Sequence, residues 1–306
     1  MENGEMAGPS GDAGKTNGAD SGRGGAGSGG SGARGRGAGE GQPGVLFHGV
    51  GVALVTIFDK AGAVDPAATA TLAADLARRG MRAVLVAGTT GEAGTLTPDE
   101  RVALIGAVRK AVPADVPVIA GTGTATTDAS AALGKAALDA GADAVLAFPP
   151  PNPDADADSG RYAAFVTEHY EALSAAACGR PVFAYHVPWI SAPGVPVAAL
   201  PGLPIAGIKD SSGSADRLLD ELAEYRGPTY VGSSALLALA GPMGGAGAIL
   251  ALANVEPERC CQAFDGDAAV QRDLARVHRE VRVGGPAALK RILHAGAGYC
   301  DRSRVG

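Results

Sequence analysis

Eight short apolar runs, none of them alternating, recur along this chain with helical segments between most of them. They are Gly51–Phe58, Ala83–Gly88, Pro117–Gly121, Ala144–Phe148, Pro181–Tyr185, Ile205–Lys209, Thr229–Gly232 and Gly247–Leu252. A strand with one wet face alternates apolar and polar residues. Runs without alternation therefore indicate parallel strands covered on both faces. Helical spacing lies between them. Leu72 and Leu76 share a face within Ala67–Arg79, Thr127–Ala140 closes on Gly141, and Arg161–Ala177 follows the fourth run. Thr97-Pro98-Asp99-Glu100 carries a cap residue, a proline at the first helical position and acids in the first turn. Eight such units predict an α/β fold, a closed (β/α)8 TIM barrel over residues 44–255. Residues 256–306 read as helices only, Ala268–Val281 and Pro286–Ala295, forming a short C-terminal helical appendage.

Before this rhythm begins, residues 1–43 are glycine, alanine and serine with scattered charges. Such a stretch buries too little apolar surface to offset its ordering entropy, and a disordered tail is expected. Gly14-Lys15-Thr16 and Gly22 to Gly27 imitate phosphate-binding motifs, but no strand precedes them and glycine-rich sequence produces such matches by chance. The net charge of −6 argues against nucleic acid or an anionic membrane as partner. No apolar run approaches the ~20 residues that span a bilayer, and no basic-then-apolar signal segment opens the chain. Four cysteines without CxxC spacing and isolated histidines suggest neither a disulfide scaffold nor a metal site. A cytoplasmic, metal-free protein is expected.

In a (β/α)8 barrel the chemistry sits at the carboxyl ends of the strands. The sixth run ends on Lys209. Burial disfavours the ammonium form of a lysine, and the neutral amine attacks carbonyl carbon, the first step of Schiff-base catalysis. The alternative is an ion pair with Asp210. The second run leads into Gly88-Thr89-Thr90-Gly91-Glu92, whose hydroxyls and amides could cradle a carboxylate or simply make a glycine turn. Tyr185 closes the fifth run, either as an acid and base beside a lysine or as a core aromatic. Because side chains alternate along a strand, His186 should point the other way, towards the helices.

These segments, together with Thr95-Leu96-Thr97, Tyr185-His186-Val187-Pro188, Gly207-Ile208-Lys209-Asp210-Ser211-Ser212 and Gly244-Gly245-Ala246-Gly247, resemble the dihydrodipicolinate synthase / N-acetylneuraminate lyase superfamily, in order and spacing, from Gly44 onward. The resemblance implies a Schiff-base-forming lyase or aldolase acting on pyruvate or a related 2-oxo acid, with an aldehyde as partner. Lys209 then forms the imine, and Tyr185 shuttles protons. Thr89 belongs to the proton relay, Thr89 and Thr90 hold the carboxylate, and Ile249 lines the pocket through its backbone carbonyl. No cofactor and no metal are implied, and a homodimer or homotetramer is. Other readings on the same scaffold are 4-hydroxy-tetrahydrodipicolinate synthase, a sugar-acid dehydratase, or a non-catalytic barrel that binds a 2-oxo acid. Three positions depart from the synthase pattern. Pro149-Pro150-Pro151-Asn152 replaces a tyrosine pair that serves a relay across the subunit interface. Trp189 and Ile190 stand where an arginine holds the second substrate's carboxylate, and Ile57 replaces the usual proline. An apolar wall at Trp189 and Ile190 predicts a less charged acceptor.

Overall fold

The structure is a computed structural model that describes residues 45–157 and 159–305. The expected tail over residues 1–43, with its two motif imitations, lies outside the described residues. Eight parallel strands close into a barrel in sequence order: β1 (Gly49–Ala53), β2 (Val84–Val86), β3 (Val118–Gly121), β4 (Ala144–Ala147), β5 (Val182–His186), β6 (Gly207–Asp210), β7 (Thr229–Val231) and β8 (Gly247–Leu250). The first expected run is divided. Val50 to Ala53 are in the sheet, while the chain beyond Leu54 turns out over the mouth, where Asn254 donates to the Ala53 carbonyl and accepts from the Val55 amide. The barrel closes through Gly49 opposite Gly247.

The helices are α1 (Pro66–Arg78), α2 (Pro98–Ala111), α3 (Thr127–Asp139), α4 (Gly160–Ala177), α5 (Ala215–Asp220), α6 (Leu237–Ala240), α7 (Pro257–Phe264) and α8 (Ala268–Ala297). The expected cap at Thr97 is a full capping box. Thr97 accepts from the Glu100 amide, and the Glu100 carboxylate accepts from the Thr97 amide. Helix α8 is broken at Gly285, whose backbone (φ 53°, ψ −146°) is closed to other residues, and Pro286 restarts it. Side-chain alternation sorts the core into an inner layer and an outer one. Leu85, Ile119, Leu146, Phe183, Tyr230 and Ile249 fill the barrel's centre. Val52, Val84, Val86, Val118 and Leu250 face outward against Leu72, Leu76, Leu104 and Leu289.

Candidate active site

Alternation places Tyr185 and Lys209 on the inner face, and the β5–β6 register sets them directly opposite each other. Both are buried, at 6% and 4% exposure. The Lys209 Nζ stands 4.6 Å from the Tyr185 ring centroid. The next residues out, His186 and Asp210, face the helices, as expected for His186. Its Nδ1 accepts from the Val195 amide at 3.1 Å, and burial, with Arg217 nearby, pushes its pKa down to about 3. Asp210 accepts from the Ser212 amide and hydroxyl and lies 3.9 Å from Arg217, so it is not the partner of Lys209. The ion-pair reading of the strand end therefore fails on geometry.

Burial alone would raise the Tyr185 phenol, but the Lys209 charge and hydrogen bonds with Ser211, Thr89 and Lys209 outweigh it, and its pKa falls below the ordinary value. A phenol so placed gives up and recovers a proton readily.

The loop after β2 rests on close backbone packing. A side chain at Gly121 would put its Cβ 2.2 Å from the Ala87 carbonyl oxygen, so only glycine lets β3 pass beneath. Thr56 donates to the Gly91 carbonyl at 2.7 Å. Within the loop, the amides of Gly91, Glu92 and Ala93 bond to carbonyls of Gly88 and Thr89, which leaves the amides of Thr89 and Thr90 without a backbone partner among the described residues. Two free amides beside two hydroxyls make a donor set suited to a carboxylate.

Thr89, Thr90, Tyr185, Lys209 and Ile249, the residues singled out in the sequence, all line one cavity of about 630 Å³. The same cavity is lined by Ser211, Ser212, Ser233 and Ser234 at the ends of β6 and β7, and by His278 and Arg282 of α8. The serines follow strand ends directly, so the rule that found Lys209 could have found them; Arg282 is one arginine among several on α8 and gave no such signal. Of the two residues expected to form an apolar wall, Trp189 lines this cavity and is 63% exposed, whereas Ile190 lines a second one of about 540 Å³ that shares only Thr89 and Tyr185 with the first.

Glu92, the last residue of the loop, is anchored away from the chemistry. Its carboxylate meets Lys290 at 2.5 Å and accepts from the Ser303 hydroxyl and the amides of Arg304 and Val305 at 2.7–2.9 Å. Arg304 in turn grips the Glu100 carboxylate with both terminal nitrogens. Residues 303–305 are thereby strapped across the base of the Thr89–Thr90 loop. Among the described residues no cluster of three or more His, Cys, Asp or Glu could hold a metal ion, and no helix is long and apolar enough to cross a membrane.

A closed barrel that holds a buried lysine and a tyrosine side by side at its carboxyl mouth defines a lyase of the class I, Schiff-base aldolase type. The sequence profile of the dihydrodipicolinate synthetase family matches residues 46–284. A 4-hydroxy-tetrahydrodipicolinate synthase of Salinibacter ruber is 37% identical over 241 residues, covering 75% of this chain and 77% of the relative. One from Hyphomonas neptunium is 39% identical over 254 residues, covering 76% and 83%. A solved chloride-inhibited dihydrodipicolinate synthase from Acinetobacter baumannii, complexed with pyruvate, superposes with a TM-score of 0.76 at 27% identity, over 85% of this chain and 92% of that one. The chain belongs to the dihydrodipicolinate synthetase family.

Proposed function

We propose that this protein joins pyruvate, or a closely related 2-oxo acid, to an aldehyde through an imine on Lys209, or runs the reverse cleavage. The observation that carries the reading is the in-register pair of Tyr185 and Lys209, which opens into a cavity whose lining holds no carboxylate. The substrate carboxylate takes the amides and hydroxyls of Thr89 and Thr90. The Lys209 amine adds to the C2 carbonyl, and water leaves as the protonated imine forms. That cation draws electrons, so C3 loses a proton and an enamine results. The enamine C3 attacks the aldehyde carbon while the aldehyde oxygen takes a proton. Hydrolysis then frees Lys209 and a 4-hydroxy-2-oxo acid. Tyr185, bonded to Thr89, Ser211 and Lys209, moves the protons in and out.

A second reading has its own support. The two relatives above are named 4-hydroxy-tetrahydrodipicolinate synthases, which favours that condensation as the particular reaction. Against it stand Trp189 at the arginine position and the proline run at residues 149–151, where the synthases place tyrosines. We also read the working form as a homo-oligomer in the cytoplasm; all four cysteines are free thiols, which fits a reducing compartment.

Borohydride reduction in the presence of pyruvate, followed by peptide mass analysis, tests the chemistry. A pyruvate-sized adduct on Lys209 is expected. Folded protein that yields no adduct with pyruvate or with longer 2-oxo acids would rule it out.

A further inference from the structure

Arg282 lies on α8, far in sequence from every strand-end motif, yet it lines the cavity that holds Lys209. Its guanidinium makes no hydrogen bond or ion pair among the described residues. It stands one helical turn beyond His278, whose Nδ1 is engaged by the Ser234 hydroxyl at 2.8 Å. Burial, then the charges of Arg282 and Arg279, lower the His278 pKa, so the imidazole adds no positive charge of its own at neutral pH. The titratable side chains that line the cavity are thus Tyr185, the two basic side chains Lys209 and Arg282, and His278, with no Asp or Glu among them.

The charge balance on the catalytic cycle makes this distribution informative. Once the imine has formed, the cation on Lys209 is matched by the carboxylate of the bound 2-oxo acid. Arg282 is exposed at the rim of the cavity with no acidic side chain in the lining to match it, so an incoming anion meets an unmatched guanidinium there. A guanidinium offers a fork of donors to a carboxylate or phosphate.

We propose that Arg282 is a specificity-determining residue that binds an anionic group at the far end of the aldehyde partner, or of the fragment released in cleavage. This rests on the Schiff-base reading of Lys209 and deepens it, and it replaces the expectation that Trp189 makes the acceptor site apolar. Where the strand-end loop lacks a cation, the helix supplies one. The class of partner is an aldehyde bearing a carboxylate or a phosphate. Hydroxyls on the intervening carbons have Ser211, Ser212 and Ser233 to meet them.

The test pairs acceptors that differ only in charge or nearly so: 4-oxobutanoate against pentanal, and glyceraldehyde 3-phosphate against glyceraldehyde, each with pyruvate and the full-length protein. The expected result is kcat/KM about fivefold higher for one or both anionic members, the upper range of what a charge contact at an exposed site supplies. The pair that shows the preference identifies carboxylate or phosphate as the anion. Arg282→Met is expected to remove the preference, chiefly by raising KM, while the neutral acceptors and the borohydride-trapped pyruvate adduct are unchanged. Arg282→Lys should restore part of it. An adduct on Lys209 without a charge preference, whether both classes react alike or neither reacts, overturns this assignment alone. An equal loss for charged and neutral acceptors in Arg282→Met also overturns it. Failure to form any adduct in the wild-type protein overturns the Schiff-base reading and this assignment with it.

Discussion

Two lysines of this barrel are buried against an aromatic ring, and they could hardly be employed more differently. Lys290, on α8, is fully buried, 4.1 Å from the centroid of Phe58, paired with Glu92 and donating to the Arg302 carbonyl. Lys209, on β6, stands over Tyr185 at a similar distance, has hydroxyls rather than a carboxylate beside it, and faces an open cavity. Burial is common to both. What separates them is the counter-ion. A carboxylate turns a buried lysine into a brace that links the loop after β2 to the last helix. Without one, and with room in front, the amine is available to a carbonyl carbon. On the proposed chemistry, the partner rather than the depth of burial tells brace from nucleophile.

The largest expected effect breaks the comparison on the catalytic side. Under the proposed imine chemistry Lys209→Ala should reduce turnover by at least about 10⁴-fold, because it removes the nucleophile, yet leave the thermal midpoint level with the wild type or above it. A steady-state assay beside a melting curve measures both; a large fall in the midpoint would show that Lys209 also braces the fold.

Lys290→Met is expected to do the reverse. It leaves the Glu92 carboxylate buried without its cation, at a cost of about 3 kcal/mol, or roughly 10 °C in melting temperature. The pyruvate adduct on Lys209 should still form at low temperature. Adding Glu92→Gln to that variant sharpens the contrast. If the cost is the orphaned charge, the double variant should melt higher than Lys290→Met alone; purely additive losses would mean that packing around Phe58 matters more.

The smallest effect concerns the outer face of β6, behind Lys209. Burial, then the nearby Asp210 charge, raises the Glu221 pKa to about 8 against the pull of Arg217. A carboxyl that binds its proton more tightly when folded adds stability that is complete below its unfolded pKa near 4.5 and is lost as pH rises through 8. Glu221→Gln should flatten the decline in melting temperature between pH 6 and pH 9 by a few degrees. An unchanged slope would place the pH dependence elsewhere.

The barrel was legible because its strands are buried on both faces, which leaves runs such as Val84–Val86 and Ala144–Ala147 unbroken by polar residues. Lys209, Tyr185, Thr89 and Thr90 were legible for the related reason that a polar residue at the end of such a run has only the barrel mouth to face. Glu92 could be read as part of its motif but not for what it does, since its partner Lys290 is 198 positions away in an ordinary-looking helix. Arg282 was hidden in the same way. The division of the first run at Ala53 was equally out of reach, because Leu54 to Phe58 are as buried as the strand, with Thr56 the one polar residue among them, and the hydrogen bonds to Asn254 show where the sheet ends.

The grip of Glu92 on residues 303–305 also bears on how the molecule is best handled. A fluorescent label, surface tether or affinity handle attached at Arg304 or Val305 would pull on the loop that carries Thr89 and Thr90. Attachment at exposed positions such as Lys135 or Cys178 would leave that loop undisturbed.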